Sequence, residues 1–182
     1  NLIEGLNFKN ENIRMLDQSR IGPILNGNKS ALKNGVAVKA LFIQNTNPLV
    51  VAPETLLVRE GFKKEDLFTC VHEQFMTETA KYADILLPAT SFVEHNDIYI
   101  AGGHQHLTFG PKIIKSIGES WSNHKLINTL GLRLGKKSKV FELSEEDIID
   151  QTLRESNLGN LSKLKQNKFY DLQPPFESSH FC

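Results

Sequence analysis

Three short apolar runs, each closed by polar residues or by proline, constrain the fold of this chain more than any other feature. They cover residues 36–43, 67–71 and 85–88. Near-continuous apolar runs of this length are typical of strands that are covered on both faces, as in a parallel sheet. The sequence therefore predicts parallel strands whose core includes Ile43, Val71 and Leu87.

The segments between these runs carry helix signals. Pro53 and Glu54 mark the start of a helix predicted at residues 55–60, which Gly61 closes. A second short helix is predicted at residues 76–82. Strands and helices that alternate at this spacing imply right-handed crossovers. We therefore expect an α/β domain over residues 36–135, with a mostly parallel, Rossmann-like three-layer sheet.

The N-terminal 35 residues show no sustained periodicity. Two loop signals, Ile21-Gly22-Pro23 and Asn26-Gly27-Asn28, interrupt them. Residues 1–35 are therefore predicted to be a connecting segment with one short helix at residues 30–34. Because the chain starts at Asn1 and ends without a charged or polar tail, we expect it to be an excerpt of a larger polypeptide.

The C-terminal part is predicted to be helical and then irregular. A helix at residues 123–134 carries leucine and isoleucine on one face and is stopped by Gly135. Beyond it, Ser144 and the acids that follow predict a helix that ends near Glu155. Residues 136–182 thus form a helix plus an extended, partly irregular arm.

The bulk composition excludes several functional classes. With 21 basic and 21 acidic residues the net charge is zero, so nothing favours a nucleic acid or an anionic membrane as partner. No apolar run is long enough for membrane insertion. Two isolated cysteines, Cys70 and Cys182, are too few for a disulfide framework or an iron–sulfur cluster. The sequence therefore predicts a cytoplasmic location.

Polar residues follow the first two predicted strands directly. Asn45, Thr46 and Asn47 come after the first strand, and His72 and Glu73 come after the second. Ligands of open parallel sheets bind outside the carboxyl ends of the strands, so these side chains are candidates for contacts to a sugar, base or phosphate. The alternatives are a turn for the first group and a helix cap for the second.

Two further candidates lie later in the chain. His95 follows the third strand and could contact phosphate if protonated, although a surface histidine without such a role is the alternative. Asn123 opens the helix at residues 123–134, where it could contact a ligand or serve as the helix cap. Residues 98–114 are predicted to alternate loops and short strands, in which His104 and His106 would share one face, but no Cys or carboxylate stands at the right spacing to complete a metal site. We therefore interpret them as solvent-facing.

Four motifs occur in order over residues 39–123: Asn45-Thr46-Asn47-Pro48, the strand at residues 67–71, the run T-E-T-A-x-x-A-D-I-x-L-P at residues 77–88, and Glu94. Together they resemble the molybdopterin oxidoreductases that carry a bis-molybdopterin-guanine-dinucleotide cofactor, a family that includes formate dehydrogenases, nitrate reductases and dimethyl-sulfoxide reductase. The segments Val71-His72-Glu73-Gln74-Phe75 and Gly102-Gly103-His104 resemble bacterial formate-dehydrogenase-like members or generic molybdopterin oxidoreductases.

The resemblance implies that the chain covers the second α/β nucleotide-binding domain of such an enzyme. The guanosine part of one pterin dinucleotide would then contact these residues: Asn45, Thr46, Asn47, His72, Glu73, His95 and Asn123. Asn123 stands where related enzymes often have an aspartate. The family's molybdenum or tungsten ion is held by residues outside this segment, and some members carry an iron–sulfur cluster elsewhere in the chain.

The same resemblance defines the expected partners and the main rival. The partners would be the remaining domains of the same polypeptide and electron-transfer subunits, and the segment alone would not be active. The rival is a non-catalytic scaffold of the kind found in the large iron–sulfur subunit of respiratory NADH dehydrogenase, which has lost the pterin cofactor. A free-standing nucleotide-binding or interaction module is a second alternative. The standard signatures of serine hydrolases, P-loop NTPases, zincins and Rossmann dehydrogenases do not occur.

Overall fold

A computed structural model describes residues 13–100 and 103–172 of the chain. The described residues form two compact units, an N-terminal unit that runs to Ala89 and a C-terminal unit that begins at Thr90. The first twelve residues of the predicted connecting segment and residues 173–182 of the predicted arm lie outside the described residues. The expected bounds of the nucleotide-binding domain, 36–135, stay a prediction.

The N-terminal unit is built on a parallel sheet. Its three strands are β1 (Ala40–Gln44), β2 (Phe68–Glu73) and β3 (Ile85–Pro88), in the order β1-β2-β3. Both pairings are parallel, with Ile43 beside Val71 and Val71 beside Leu86. The predicted α/β class and the parallel sheet are therefore confirmed, and all three strands leave the sheet at the same edge.

Short helices cover one face of this sheet. They are a 3₁₀ turn (Gln18–Arg20), α1 (Ile21–Leu25), α2 (Pro48–Val51), α3 (Thr55–Phe62) and a second 3₁₀ turn (Ala80–Tyr82). The core between sheet and helices contains Ile43, Val71, Val58, Phe62 and Leu25. Burial of these apolar side chains, each typically contributing about 1.5–3 kcal/mol, is what holds the strand ends in fixed positions.

The opposite face of the sheet corrects two expectations. Phe42, Cys70 and Ile85 are paired neighbours across the three strands, and Phe42 and Ile85 remain 48% and 45% exposed. Among the described residues, this face is only partly covered, since His72, which shares it, is fully buried. Leu87 is only half-buried, so its placement in the core was wrong. The helices pack against the opposite face, which carries Ile43 and Val71.

Several helix bounds also differ from the prediction. Residues 30–34 form turns, whereas Ile21-Gly22-Pro23, read as a loop signal, begins α1. Proline is tolerated there because N–H groups in the first turn of a helix need no internal partner. Gly61 does not end α3 but lies inside it, and the helix expected at residues 76–82 is reduced to the 3₁₀ turn at its end.

The C-terminal unit contains a second, antiparallel sheet. Its strands are β4 (Asp97–Ile100), β5 (His106–Gly110) and β6 (Phe169–Asp171), with β5 in the centre. The helices are α4 (Asn123–Arg133), a 3₁₀ turn (Lys139–Glu142), α5 (Glu145–Glu155) and α6 (Leu161–Asn167). Leu107 of β5 packs with Ile149, Leu153, Leu161 and Leu164 of α5 and α6 to form the core of this unit.

The helices of this unit were predicted unevenly. The predicted helix start at Ser144 is confirmed: Ser144 Oγ accepts a hydrogen bond from Asp147 N at 3.1 Å, and the Asp147 carboxylate accepts one from Ser144 N. At α4 the cap is Ser122 and Asn123 is the first helical residue, so the capping role considered for Asn123 was wrong. The sequence did not predict α6 and β6.

Candidate functional site

The loop after β1 places two polar side chains at the carboxyl edge of the parallel sheet. Asn45 has a left-handed backbone conformation with φ 52°, and its N–H donates to the carbonyl oxygen of His72 at 3.3 Å. This contact joins the ends of β1 and β2. Asn45 and Thr46 are both exposed. Their amide and hydroxyl groups therefore stand in solvent at the edge where ligands of parallel sheets bind.

Asn47, the next predicted contact, is engaged inside the protein. Its Oδ1 accepts hydrogen bonds from Thr79 N at 3.2 Å and from Thr79 Oγ1 at 2.7 Å. Thr79 Oγ1 in turn accepts one from Leu49 N at 3.1 Å, and Thr79 is fully buried. Asn47 therefore fastens the loop after β1 to the segment between β2 and β3. Thr79, the second threonine of the T-E-T-A motif, therefore has a structural role.

The end of β2 carries one fully buried and one half-buried polar side chain. His72 is fully buried, and its Nδ1 lies 3.3 Å from Gln44 Nε2. Glu73 is half-buried, and its Oε1 accepts a hydrogen bond from Gln74 N at 2.7 Å. Gln44 and Thr46 also line a pocket of about 550 Å³ that runs along β1. The sequence places Gln44 at the start of the polar cluster after the first strand, but it was not among the predicted contact residues.

In the C-terminal unit, His95 and Asn123 line one pocket. Its volume is about 180 Å³, and Asp97 and Glu145 also line it. His95 Nδ1 lies 2.9 Å from Thr90 Oγ1, and its Nε2 lies 3.8 Å from Asp97 Oδ2. The structure therefore brings together two of the predicted contact residues that are 28 positions apart in the sequence.

Glu145 holds this pocket together and was not predicted as a site residue. Its Oε1 accepts a hydrogen bond from Ser122 Oγ at 2.7 Å, and its Oε2 accepts one from Asn96 N at 3.0 Å. These bonds connect the start of α5 with the cap of α4 and the segment before β4. In the sequence, Glu145 is only one of several acids in the first turn of a predicted helix, where a negative charge interacts favourably with the helix dipole.

Glu94, part of the family motif, has a structural role in this geometry. Its carboxylate accepts hydrogen bonds from Ser91 N and Ser91 Oγ, each at 2.7 Å, and from Ile117 N at 2.6 Å. The bonds from Ser91 and Ile117 keep the pKa of Glu94 below its ordinary value. Only 5% of the residue is exposed, so the charged carboxylate binds two loops together rather than a ligand.

The remaining candidates give no metal centre within the described residues. The rings of His104 and His106 lie 5.3 Å apart, but no group of three or more potential metal ligands occurs in residues 13–100 and 103–172. Burial raises the pKa of the Cys70 thiol. No helix in this part of the chain has the length and apolar character needed to cross a membrane.

Comparison with known proteins identifies the family. Residues 3–133 match the molybdopterin oxidoreductase family. The probable oxidoreductase YoaE of Bacillus subtilis is 37% identical over 157 residues, which cover 86% of this chain and 22% of that protein. The catalytic subunit of the assimilatory nitrate reductase of the same organism is 31% identical over 125 residues, covering 69% of this chain and 17% of that protein.

A solved structure supports the fold, and formate-dehydrogenase relatives support the detailed resemblance. Acetylene hydratase from Pelobacter acetylenicus superposes with a TM-score of 0.65 at 19% identity, over 81% of this chain and 20% of that one. Formate dehydrogenase H of Escherichia coli is 31% identical over 101 residues, covering 54% of this chain and 13% of that protein. The chain thus spans about a fifth or less of the curated relatives it matches. It belongs to the molybdopterin oxidoreductase family, as its strand-end motifs predict.

Proposed function

We propose that this chain binds the guanine-nucleotide portion of a bis-molybdopterin-guanine-dinucleotide cofactor, as part of a molybdenum or tungsten oxidoreductase. Membership of the molybdopterin oxidoreductase family implies a pterin cofactor. The observation that carries the nucleotide assignment is the carboxyl edge of the parallel sheet, where Asn45 and Thr46 are exposed and Glu73 is half-buried. Parallel sheets bind nucleotides at this edge.

The chemistry of these side chains fits a guanosine. Asn45 offers both a donor and an acceptor, Thr46 offers a hydroxyl, and the Glu73 carboxylate can accept hydrogen bonds from a guanine edge or from ribose hydroxyls. The left-handed conformation of Asn45 gives a reason for its identity, because asparagine tolerates this conformation and still carries an amide. The metal dithiolene would supply the redox chemistry from outside this chain.

The other predicted contact residues take different roles in this proposal. Asn47 and His72 position the two loops, since their side chains are bonded inside the N-terminal unit. His95 and Asn123 line their own pocket, where a histidine and an amide can contact phosphate or sugar oxygens. The remaining domains of a longer polypeptide and electron-transfer subunits are the proposed partners, an iron–sulfur cluster would lie elsewhere in that polypeptide, and the proposed location is cytoplasmic.

The scaffold alternative, a domain that has lost the cofactor, receives no support from these residues. The nucleotide proposal is preferred because amide, hydroxyl and carboxylate groups stand together at the sheet edge: Asn45 and Thr46 are exposed and Glu73 is half-buried. Pterin and metal analysis of the longer enzyme distinguishes the two, because the scaffold would contain neither.

The test of the proposal is cofactor retention in the longer enzyme. Glu73→Ala removes a charge-assisted hydrogen bond worth roughly 1.5–3 kcal/mol, so the affinity for the nucleotide should fall about tenfold to a hundredfold. The measurement is the guanine-pterin content of the purified protein, with the exposed Lys137→Ala as control. Unchanged content in a folded Glu73→Ala enzyme would show that the loop after β2 is only a turn.

A further inference from the structure

A second pocket of the C-terminal unit has an apolar floor and a basic rim. Its volume is about 500 Å³, within the range typical of small-molecule sites. Phe109, at the end of β5, is half-buried, and Leu164 of α6 is fully buried beneath it. Three lysines line this pocket, from the segment after β5, from α6 and from the residue that follows α6: Lys112, Lys165 and Lys168.

The charges around this pocket do not cancel. Glu146 is the only acidic residue among those that line it, and its carboxylate accepts a hydrogen bond from Lys165 Nζ at 2.9 Å. The same ammonium lies 5.0 Å from the centroid of the Phe109 ring. Within the described residues, Lys112 and Lys168 have no carboxylate within ion-pair distance. The pocket therefore carries two uncompensated positive charges in a chain whose net charge is zero.

Local contacts hold two of the three lysines in position at the pocket. Lys112 N donates to Asn96 Oδ1 at 2.8 Å, and both residues line the pocket. Lys165 is held between Glu146 and Phe109. Lys168 has φ 69°, a conformation that glycine would adopt with less strain. Backbone geometry therefore does not explain why position 168 is a lysine.

We infer that this pocket binds a small organic anion with a flat apolar body, such as an aromatic carboxylate. The apolar body would lie on Phe109, next to the cation that already stacks there, and the acid group would meet Lys112, Lys168 and the Asn96 amide. Cationic donors bind carboxylates by charge-assisted hydrogen bonds, and the apolar floor favours a ligand that also buries carbon. The sheet edge proposed to bind guanosine belongs to the N-terminal unit, whereas this pocket belongs to the C-terminal unit and shares only Asn96 with the pocket of His95 and Asn123.

The experiment titrates the purified chain with 2-naphthoate and follows backbone amide shifts by NMR. We expect saturable shifts at Phe109, Lys112 and Lys168. Lys112→Gln and Lys168→Gln each remove one charge near the acid group, and each should raise the Kd about fivefold at low salt, the effect of one unit charge at about 4 Å in water. The exposed residue Lys137, which does not line this pocket, provides the matched control Lys137→Gln.

Two comparison ligands separate the parts of this inference. Uncharged 2-naphthylmethanol should bind more weakly than naphthoate, and inorganic phosphate, which lacks the apolar body, should also bind more weakly. Equal binding of naphthoate and naphthylmethanol, unchanged Kd values in both lysine variants, or no saturable shifts at the pocket would each overturn the assignment. None of these outcomes depends on whether the N-terminal unit binds a guanine nucleotide.

Discussion

Asn45 allows the structural and functional roles of one residue to be separated, because its backbone is left-handed and its side chain is exposed. This conformation costs an ordinary L-residue roughly 1–2 kcal/mol and costs glycine almost nothing. We therefore predict that Asn45→Ala lowers the free energy of unfolding by about 1 kcal/mol, whereas Asn45→Gly leaves it nearly unchanged. Urea denaturation of the purified chain measures both.

The glycine variant then tests the ligand role without a folding defect. In the longer enzyme, Asn45→Gly should reduce guanine-pterin content, because the loop keeps its shape but loses the amide. Full cofactor content in this variant would mean that Asn45 serves only the backbone turn. A loss of stability in Asn45→Gly as large as in Asn45→Ala would contradict the conformational argument itself.

Glu94 should make stability depend on pH in the acid range. Its folded pKa lies below the ordinary value of 4.5, owing to hydrogen bonds from Ser91 and Ile117. A carboxyl group with a depressed pKa contributes stability that is fully present above its unfolded pKa and is lost as the pH falls through the folded pKa. We therefore predict that the free energy of unfolding falls below pH 4.5, and that Glu94→Gln flattens this fall.

Comparing the wild type with Glu94→Gln isolates the contribution of Glu94. Other carboxylates with lowered pKa values, such as Asp147 and Asp150, titrate in both proteins. Glu94→Gln should also be less stable than the wild type at neutral pH, because one of its donors would face an amide NH₂ instead of an oxygen. Parallel stability curves for the two proteins from neutral to acid pH would refute the assignment.

The sequence predicted the position of a side chain where a strand end determines it, and failed where burial decides. Asn45 and Thr46 were predictable because the polar residues directly after a buried strand must lie at the sheet edge. The burial of His72 was not, because adjacent residues of a strand face opposite sides and the sequence does not show which side a loop or helix covers. The partnership of Asn47 with Thr79 joins residues 32 positions apart and has no local signal.

At the level of elements, the contact between α1 and α3 explains why Gly61 lies inside α3, where the sequence pattern had predicted the end of the helix. A Cβ on Gly61 would lie 2.5 Å from Leu25 Cβ, and one on Gly22 would lie 3.0 Å from Leu57 Cβ. The two helices approach closely at both glycines. Gly61 was predicted to end α3 because glycine is common after the last turn of a helix. Its position is instead required by packing, which a single sequence does not reveal.

Gly61→Ala therefore sets helix propensity against packing. Propensity alone predicts a gain of about 1 kcal/mol for alanine over glycine in a helix interior. The contact with Leu25 Cβ, which is not the end of a flexible side chain, predicts overpacking worth roughly 1–3 kcal/mol. We expect packing to prevail, so that the free energy of unfolding decreases, as measured by urea denaturation.

The exposed neighbour Glu60 provides the control for this experiment. Glu60→Ala should change stability by no more than about 0.5 kcal/mol, as is usual for an exposed position. If Gly61→Ala stabilised the chain, α1 and α3 would have to be farther apart than the structure places them.

For the molecule as a whole, local pattern predicted the parallel sheet but not the antiparallel one. Strands β1, β2 and β3 follow one another along the chain, and each is an apolar run. In the C-terminal unit, β6 pairs with β5, so that Tyr170 lies beside Leu107 across 63 positions of sequence. A three-residue strand in a polar segment has no periodicity to detect. Its place is determined by the apolar core that β5 forms with α5 and α6.

The distribution of possible metal ligands leads to the last prediction, which concerns the whole chain. The rings of His104 and His106 lie 5.3 Å apart, yet the part of the chain that the structure describes holds no group of three or more potential ligands, and zinc requires three or four protein ligands. We predict that the purified chain contains no stoichiometric zinc, iron, molybdenum or tungsten after dialysis, as measured by elemental mass spectrometry. If zinc were retained and then lost in His104→Ala or His106→Ala, this histidine pair would be part of a metal site and its solvent-facing interpretation would be wrong. Zinc retained equally in both variants would instead place the ligands elsewhere in the chain.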